Sequence, residues 1–257
     1  MFAKERQALI CDSLKKNGAV TTGGLVSELG VSIETVRRDL LDLEKAGRLT
    51  RVHGGAVAAG DMQPPMELYQ RNRSHSPQKQ ALSRLAAEDV SEGEFLAVDS
   101  GSTAILFAQA LKERFRKLTV VTHSRDVFDL LCDHKDFTVL LCGGHYLRQE
   151  RAFYGPLVLD ALGKLRIQKS FLFPSAVSLE DGICDYQQEL LSVQKSIISI
   201  AEQVYILADS SKFEKKALLR LADMDRRYTY ITDGQLPAEI RNLYLENGIR
   251  IYAGGPL

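Results

Sequence analysis

Seven short apolar segments alternate with helical segments along the last two thirds of this 257-residue chain, and this alternation constrains the fold most strongly. The apolar segments are residues 95–98, 118–122, 137–142, 170–173, 204–208, 228–232 and 249–252. The helical segments are residues 76–90, 103–114, 125–133, 156–164, 187–202 and 237–246. Such alternation predicts a mostly parallel sheet covered by helices, in which a ligand binds beyond the carboxyl ends of the strands.

The N-terminal part of the chain has a different pattern. A chain of 257 residues with two such regions predicts two domains. Residues 3–58 predict three short helices followed by a hairpin. Residues 59–76 are polar and loop-like, with two consecutive prolines, and we interpret them as a linker. Residues 77–257 then form the α/β domain.

Residues 31–40 predict a helix with one apolar and one basic face. Ser32 is a suitable N-cap, and Val36 and Leu40 recur at helical spacing. Arg37 and Arg38 lie away from that apolar stripe, which suits the major groove of DNA. The alternative is an ordinary packing helix with two solvated arginines.

The segment that follows predicts a hairpin with a turn at Gly54-Gly55, because glycine readily adopts positive φ. Arg51 and His53 flank this turn, where the backbone can approach a phosphate. Three helices and a hairpin describe a winged helix-turn-helix. The predicted DNA-binding residues are Ser32, Thr35, Arg37, Arg38, Arg51, His53, Gly54 and Gly55.

Four predicted strands of the α/β domain end in loops rich in hydroxyls or glycine. The clearest loop is Asp99-Ser100-Gly101-Ser102-Thr103, which opens a helix whose free N–H groups suit an anion. Routine capped turns are the alternative, but four such ends together favour a phosphorylated small molecule. The predicted ligand-binding residues are Asp99, Gly101, Ser102, Thr103, Thr122, His123, Ser124, Gly143, Gly144, Glu189 and Lys212.

Both parts of the chain resemble the DeoR family of bacterial transcriptional regulators. In the first part the resemblance rests on Thr35-Val36-Arg37-Arg38-Asp39-Leu40 and Arg51-Val52-His53-Gly54-Gly55-Ala56. In the second part it rests on the 99–103 loop, Gly155-Pro156, Asp181-Gly182 and residues 208–213. The resemblance implies a sensor domain similar in fold to ribose-5-phosphate isomerase, glucosamine-6-phosphate deaminase and CoA transferases.

The resemblance also implies a function. We expect a DNA-binding regulator of carbohydrate metabolism, in most members a repressor, that binds a double-stranded operator as a homodimer or homotetramer. A sugar phosphate is the expected effector. Two departures from the family pattern affect the effector site: His123 replaces a common asparagine, and residues 173–177 replace a glycine-rich loop.

An enzyme carrying a DNA-binding domain is the alternative function, either a sugar-phosphate isomerase or a deaminase. It would need a general base beside a carbonyl group. Residues 174–179 contain no carboxylate, and only Glu180, Asp181 and Asp185 lie nearby in the sequence. We therefore predict no catalytic residue and no enzymatic activity.

Composition and charge neither support nor exclude DNA binding by this chain. The formal net charge is zero, and residues 1–58 carry nine basic against seven acidic residues, so electrostatic steering to DNA is weak. The four cysteines show no metal-ligand spacing, and we expect reduced thiols, no metal and no cofactor. No apolar run reaches about 18 residues and the first residues lack a signal-peptide core, so we expect a cytoplasmic protein without membrane contact.

Overall fold

The computed structural model describes residues 2–17, 19–52, 54–58 and 66–254. The N-terminal elements are α1 (Ala3–Asn17), β1 (Ala19–Thr21), α2 (Thr22–Leu29), α3 (Ile33–Lys45), β2 (Leu49–Val52) and β3 (Gly55–Ala58). Leu14, Leu25, Val36 and Leu40 are among the buried side chains that join the three helices into one small core. Gly30 ends α2 in the left-handed conformation, with φ of 64°, and so allows the tight turn into α3.

The hairpin of this domain is confirmed, but its predicted turn is one residue out of place. Val52 pairs with Gly55, so Gly54 belongs to the turn and Gly55 does not, and residue 53 lies outside the described residues. Gly54 has positive φ, whereas Gly55 belongs to β3. A Cβ on Gly55 would lie 2.0 Å from the carbonyl oxygen of Val20, because β3 also pairs with β1. Gly55 is therefore required by this close approach and not by the turn.

The predicted linker is wrong for its second half. Residues 68–73 form a helix, α4 (Leu68–Arg73), and Leu68 is buried. The rest of that range up to residue 65 lies outside the described residues, including Pro64 and Pro65. Residue 76 opens α5 (Ser76–Glu88), with Pro77 in its first turn as predicted.

The remaining elements form the α/β domain. Its helices are α6 (Ser102–Arg114), α7 (Arg125–Leu131), α8 (Pro156–Gly163), α9 (Gln188–Ile200) and α10 (Ala238–Glu246), with a short 3-10 helix at Ser210–Lys212. Its strands are β4 (Phe95–Val98), β5 (Thr119–Thr122), β6 (Thr138–Leu141), β7 (His145–Leu147), β8 (Ala152–Tyr154), β9 (Ile167–Leu172), β10 (Ala176–Ser178), β11 (Gly182–Asp185), β12 (Ala201–Leu207), β13 (Leu219–Ala222), β14 (Thr229–Asp233) and β15 (Ile251–Gly254).

Seven of these strands form one sheet in the order β15-β14-β12-β9-β4-β5-β6, and every neighbouring pair is parallel. They are the seven strands predicted from the apolar segments. From the central pair, the chain proceeds outward through β4, β5 and β6 on one side and through β9, β12, β14 and β15 on the other. The order therefore reverses between β4 and β9, where open α/β sheets bind ligands beyond the carboxyl ends of the strands.

Helices cover both faces of this sheet, and the alternation of side chains along β4 shows why. Leu96 and Val98 pack into a core with α5, α6 and α7, whereas Ala97 belongs to the opposite core, which α8, α9 and α10 complete. Strands that are buried on both faces of a sheet are apolar along their whole length. The seven strands are therefore visible in the sequence as apolar runs. Two smaller antiparallel sheets, β7-β8 and β10-β11-β13, were not predicted.

Candidate nucleic-acid interface and ligand site

The predicted recognition helix is α3, and its capping is confirmed. The Ser32 hydroxyl oxygen accepts a hydrogen bond from the Thr35 backbone N–H at 3.3 Å. The two hydroxyl groups also bond to each other at 2.9 Å. Val36, Leu40 and Leu43 are buried, so one stripe of the helix is fixed against the domain core.

The opposite side of α3 carries the two arginines. Both are exposed, and the Arg37 guanidinium donates to Glu34 Oε1 at 2.9 Å. Arg38 forms no hydrogen bond or ion pair within the described part of the chain. Exposed ion pairs such as Arg37–Glu34 contribute little to stability, so both guanidinium groups can turn to an external partner.

A buried ion pair that the sequence did not predict fixes the orientation of α3. Asp39 lies on the buried side, only 3% exposed, and accepts a two-point contact from the Arg6 guanidinium of α1 at 2.7 and 3.2 Å. A forked arginine–carboxylate contact adds geometric specificity as well as energy. The signal in the sequence was an aspartate within the apolar repeat of Val36, Leu40 and Leu43.

The hairpin is attached to the end of α3. The Arg51 backbone N–H donates to Glu44 Oε1 at 2.8 Å, while the Arg51 side chain stays exposed. Gly54 is half-buried at the turn, and His53 lies outside the described residues. Gly55 is buried in β3, so it supports the hairpin and does not present its backbone as predicted.

The second candidate site lies at the carboxyl ends of β4 and its neighbours. Gly101 has φ of 121°, a conformation that favours glycine, and it caps the start of α6. Ser102 and Thr103 occupy the first turn and are buried, and the Thr103 hydroxyl has no hydrogen-bond partner among the described residues. The first turn of α6 therefore combines free N–H groups with hydroxyls, as the anion site requires.

Asp99, Thr122, His123 and Ser124, which are predicted to contact the ligand, also form hydrogen bonds within the protein. Asp99 Oδ1 lies 2.8 Å from His123 Nε2, and His123 Nδ1 lies 2.9 Å from the Phe153 carbonyl oxygen, so both side chains are fully used and completely buried. Thr122 Oγ1 donates to Val98 O at 2.7 Å, and Ser124 caps α7. All four side chains therefore have hydrogen-bond partners within the protein.

The predicted glycines and Glu189 have other neighbours than the residues of that loop. A Cβ on Gly144 would meet Tyr154 O at 2.6 Å and Val158 Cγ2 at 2.9 Å, so this glycine permits close packing. Gly143 has nothing within 4 Å of such a Cβ. Glu189, in the first turn of α9, lines an open pocket of about 380 Å³ that no other predicted ligand residue lines. The pocket is formed by Tyr154, Gly155, Pro156, Leu159, Gln188, Glu189 and Ser192.

Three cations meet near the switch point of the sheet, and only Lys212 was predicted. Its ammonium donates to the Pro174 carbonyl oxygen at 2.6 Å. Lys79 of α5 is 3% exposed and donates to the carbonyl oxygens of Arg71 and Ser74 at 2.6 and 2.8 Å. Arg71 of α4 pairs with the buried carboxylate of Glu150.

Burial and mutual repulsion perturb these groups. Burial, together with the charges of Lys212 and Arg71, lowers the pKa of Lys79 to about 8, against the attraction of Asp209. Burial also lowers the pKa of Lys212, and it raises the pKa of Glu150 against the opposing effect of Arg71. Neither lysine ammonium has a carboxylate as a hydrogen-bond partner within the described ranges, so the cluster suits an added anion.

Lys79 could have been found in the sequence, because it precedes Leu82, Ser83 and Ala86 on the buried side of α5. A lysine on an apolar stripe is rarely fully buried unless it has a partner. Arg71 gives no comparable signal, since α4 is short and lies in a polar stretch.

No metal or membrane feature accompanies the two sites. Among the described residues no group of three or more His, Cys, Asp or Glu side chains is arranged to hold a metal ion. The four cysteines are free thiols, of which Cys132 is exposed. No helix in the described ranges is both long and apolar enough to cross a membrane.

The architecture defines a class: a winged helix-turn-helix followed by an α/β domain with a seven-stranded parallel sheet. Residues 6–61 match the family model of the DeoR-like helix-turn-helix domain, and residues 74–234 match that of the DeoR C terminal sensor domain. The chain belongs to the DeoR family and is a DNA-binding transcriptional regulator with a small-molecule sensor domain.

Similar proteins agree with this family assignment. The chain is 32% identical to the lactose phosphotransferase system repressor of Lactococcus lactis, over 92% of this chain and 93% of that protein. It is 25% identical to the glycerol-3-phosphate regulon repressor of Escherichia coli, over 98% and 99%. Among solved structures, ribose 5-phosphate isomerase A of Methanocaldococcus jannaschii covers 56% of each chain, with 18% identity and a TM-score of 0.42. The matches to regulators favour regulation over the enzymatic alternative.

Proposed function

We propose that this protein is a repressor of a carbohydrate operon and that a phosphorylated sugar, bound in the sensor domain, releases it from DNA. The relatives named above are repressors of a sugar uptake system and of a regulon named for a phosphorylated compound. Binding to chromosomal DNA requires a location in the bacterial cytoplasm.

The cation cluster of Arg71, Lys79 and Lys212 is the observation that carries the proposal. Lys79 is buried and Lys212 is half-buried, and both ammonium groups have carbonyl oxygens as their hydrogen-bond partners, which leaves positive charge that a phosphate would neutralise. Arg71 Nε is also buried without a partner among the described residues, so the guanidinium has a donor to spare.

The first turn of α6 is suited to the same class of ligand. Gly101, Ser102 and Thr103 would bond phosphate oxygens through backbone N–H and hydroxyl groups, while the positive end of the helix dipole favours the charge. We assign Asp99, Thr122, His123 and Ser124 to positioning of these loops, and Gly144 to close packing against Tyr154 and Val158. Glu189 would contact hydroxyl groups of the sugar.

DNA recognition rests on the exposed face of α3 and on the hairpin. Arg37 and Arg38 would contact bases, Ser32 and Thr35 the backbone near the helix start, and Arg51, His53 and Gly54 the phosphates beside the turn. We propose a homodimer or homotetramer, because two recognition helices would then meet half-sites about one helical turn apart. One copy, with its near-neutral charge, gains little from non-specific attraction.

The connection between the two sites is α4. Arg71 belongs to this helix, the first described element after the DNA-binding domain, and it contributes to the cation cluster. A phosphate that draws Arg71 away from Glu150 would change how α4 is held. The effector would thereby reach the DNA-binding domain through the chain segment that connects the two domains.

Isothermal calorimetry on the full chain tests the anion site, with inorganic phosphate and a panel of hexose and pentose phosphates. Lys79→Met and Lys212→Met should each weaken phosphate binding by more than about tenfold, since each removes a buried charge-assisted contact. Lys216→Met is the matched control, because Lys216 is exposed and pairs with Glu180 and Asp181. Equal losses in all three variants, or no phosphate binding by the unmodified protein, would contradict the proposal.

A further inference from the structure

A buried chain of polar side chains links the loops at the switch point. Gln194 of α9 is 3% exposed and donates through Nε2 to Asp99 Oδ2 at 3.2 Å and to Asp185 Oδ2 at 2.8 Å. Asp185 Oδ1 in turn accepts from the Ser175 hydroxyl at 2.7 Å, in the loop after β9. His123 completes the chain at Asp99 Oδ1. The amide of Gln194 therefore joins the carboxyl ends of β4 and β9.

The two aspartates fix which way this amide points. A glutamine has two N–H donors on nitrogen and an acceptor oxygen, and here both donors are directed at carboxylates. The reverse orientation would place the carbonyl oxygen between two carboxylates, where every contact is repulsive. The orientation of Gln194 thus follows from its partners, and its two donors are fully used.

The oxygen of the same amide, in contrast to the nitrogen, lacks a hydrogen-bond partner among the described residues. Gln194 Oε1 is buried and accepts no hydrogen bond from the described residues. A buried acceptor without a donor is unfavourable, and native structures contain few of them. Donation of both N–H groups to carboxylates also polarises the amide, which makes its oxygen a stronger acceptor.

We propose that Gln194 Oε1 is the acceptor for a hydroxyl group of the effector and so determines which sugar phosphate is bound. This inference rests on the proposed function and extends it, since it assigns a residue that selects among sugar phosphates by a hydroxyl group. Asp99 and Asp185 flank the amide of Gln194, so an uncharged hydroxyl suits this position better than a second anion. The ligand is therefore a polyol with its phosphate at Arg71, Lys79 and Lys212 and an uncharged hydroxyl group beside Gln194.

The charge pattern also excludes a class of ligand. A second phosphate or a carboxylate beside Gln194 would face Asp99 and Asp185 and would find no donor on the amide oxygen. Bisphosphorylated sugars and sugar acids should bind more weakly than neutral-ended sugar phosphates of the same length.

Gln194→Met tests the role of the whole amide, because methionine has a similar shape but supplies neither the acceptor oxygen nor the donors to Asp99 and Asp185. Calorimetry on the full chain should show affinity for the best-bound sugar phosphate reduced by about tenfold, with inorganic phosphate affinity unchanged. Among monodeoxy analogues of that sugar phosphate, one should lose about tenfold against the unmodified protein and nothing further against Gln194→Met. Gln194→Asn, which keeps the amide but withdraws it by one methylene, should behave in the same way.

Thermal melting and DNA binding establish that both variants are folded. Ser175→Ala is the matched control, because it removes only the outermost donor of the network and leaves Gln194 and its two acceptors in place. Parallel losses for inorganic phosphate and sugar phosphate, or unchanged affinity for every sugar phosphate, would overturn the inference while the anion site remains. Failure of the unmodified protein to bind any phosphate would instead overturn the proposed function.

Discussion

The two sites of this regulator use charge in opposite ways. On the DNA-binding domain, Arg37, Arg38 and Arg51 are exposed. Arg37 and Arg51 form surface ion pairs, and Arg38 forms none among the described residues. In the sensor domain, Asp99, Lys79 and Glu150 are almost entirely buried within hydrogen-bond networks. An exposed charge keeps its hydration, so it costs little free energy and remains available to a large polyanion. A buried charge loses its hydration and needs hydrogen-bond or ion-pair partners inside the protein. A surface that reads DNA can thus be recognised residue by residue, but a buried sensor has to be understood as a network.

The comparison predicts that loss of the exposed arginines removes DNA binding and nothing else. Arg37→Ala combined with Arg38→Ala should reduce affinity by more than about a hundredfold, because each arginine–guanine contact contributes about 1–3 kcal/mol per half-site. Fluorescence anisotropy with a duplex selected from a random library by the unmodified protein measures this effect. Lys164→Ala, on an exposed ion pair of α8, is the control. Unchanged DNA affinity in the double variant would remove α3 from the interface.

Asp39 is the buried charged residue of α3, and its removal should destabilise the DNA-binding domain, as expected for a buried charge with a fixed partner. Asp39→Ala leaves the Arg6 guanidinium without its forked acceptor, so the DNA-binding domain should unfold several degrees lower. Asp42→Ala, on the exposed side of the same helix, should have little effect. Calorimetric melting of the two variants compares them directly. Identical melting temperatures would show that the pair does not hold α3.

Titration of Lys79 distinguishes the buried cations from the exposed ones. With a pKa of about 8 in the free protein, Lys79 is protonated below that pH and neutral above it. Phosphate remains largely a dianion over the range tested, so its affinity should fall by about tenfold between pH 7.5 and 9. In Lys79→Arg the side chain stays positively charged over this pH range, so the fall in phosphate affinity should be shallower. Lys212 is unchanged in the variant and contributes equally to both pH profiles. Superimposable pH profiles would assign the dependence to another group.

The smallest effect is expected at the hairpin. Arg51→Ala should weaken binding by about three- to tenfold for all DNA sequences and lower the salt dependence by about one ion per half-site, as for a phosphate contact. The variant keeps the backbone bond from residue 51 to Glu44, so the hairpin should remain in place. A change in sequence preference would instead indicate a base contact.

Much of the fold followed from the sequence because strands buried on both faces are recognisable as apolar runs. All seven strands of the parallel sheet were predicted, although β9 and β12 begin three residues earlier than expected. The short strands β7, β8 and β10 gave no such signal, because three residues contain too little pattern to distinguish a strand from a loop. Helix α4 is similarly short and polar, and its position depends on packing against the sensor domain.

The two candidate sites were predictable to different degrees, because one depends on local sequence patterns and the other on contacts between distant positions in the chain. Capped helix starts and exposed arginines are local properties, so Ser32 and the Arg37-Arg38 pair were identified from their neighbours in the chain. The partnership of Lys79, Arg71 and Lys212 joins positions more than 130 residues apart, and no local pattern reports it. Asp99 and His123 were correctly placed at strand ends, but only the tertiary structure shows that each is used by the other.

The central claim is that occupancy of the buried site controls the exposed one. Anisotropy titrations with the selected duplex, with and without a sugar phosphate shown by calorimetry to bind, test it in the unmodified protein and in Lys212→Met. The unmodified protein should lose at least about fivefold in DNA affinity when the sugar phosphate is present. Lys212→Met should bind DNA equally well without ligand and show no loss with it. An equal response in both proteins, or none in the unmodified protein, would contradict control of DNA binding through this site.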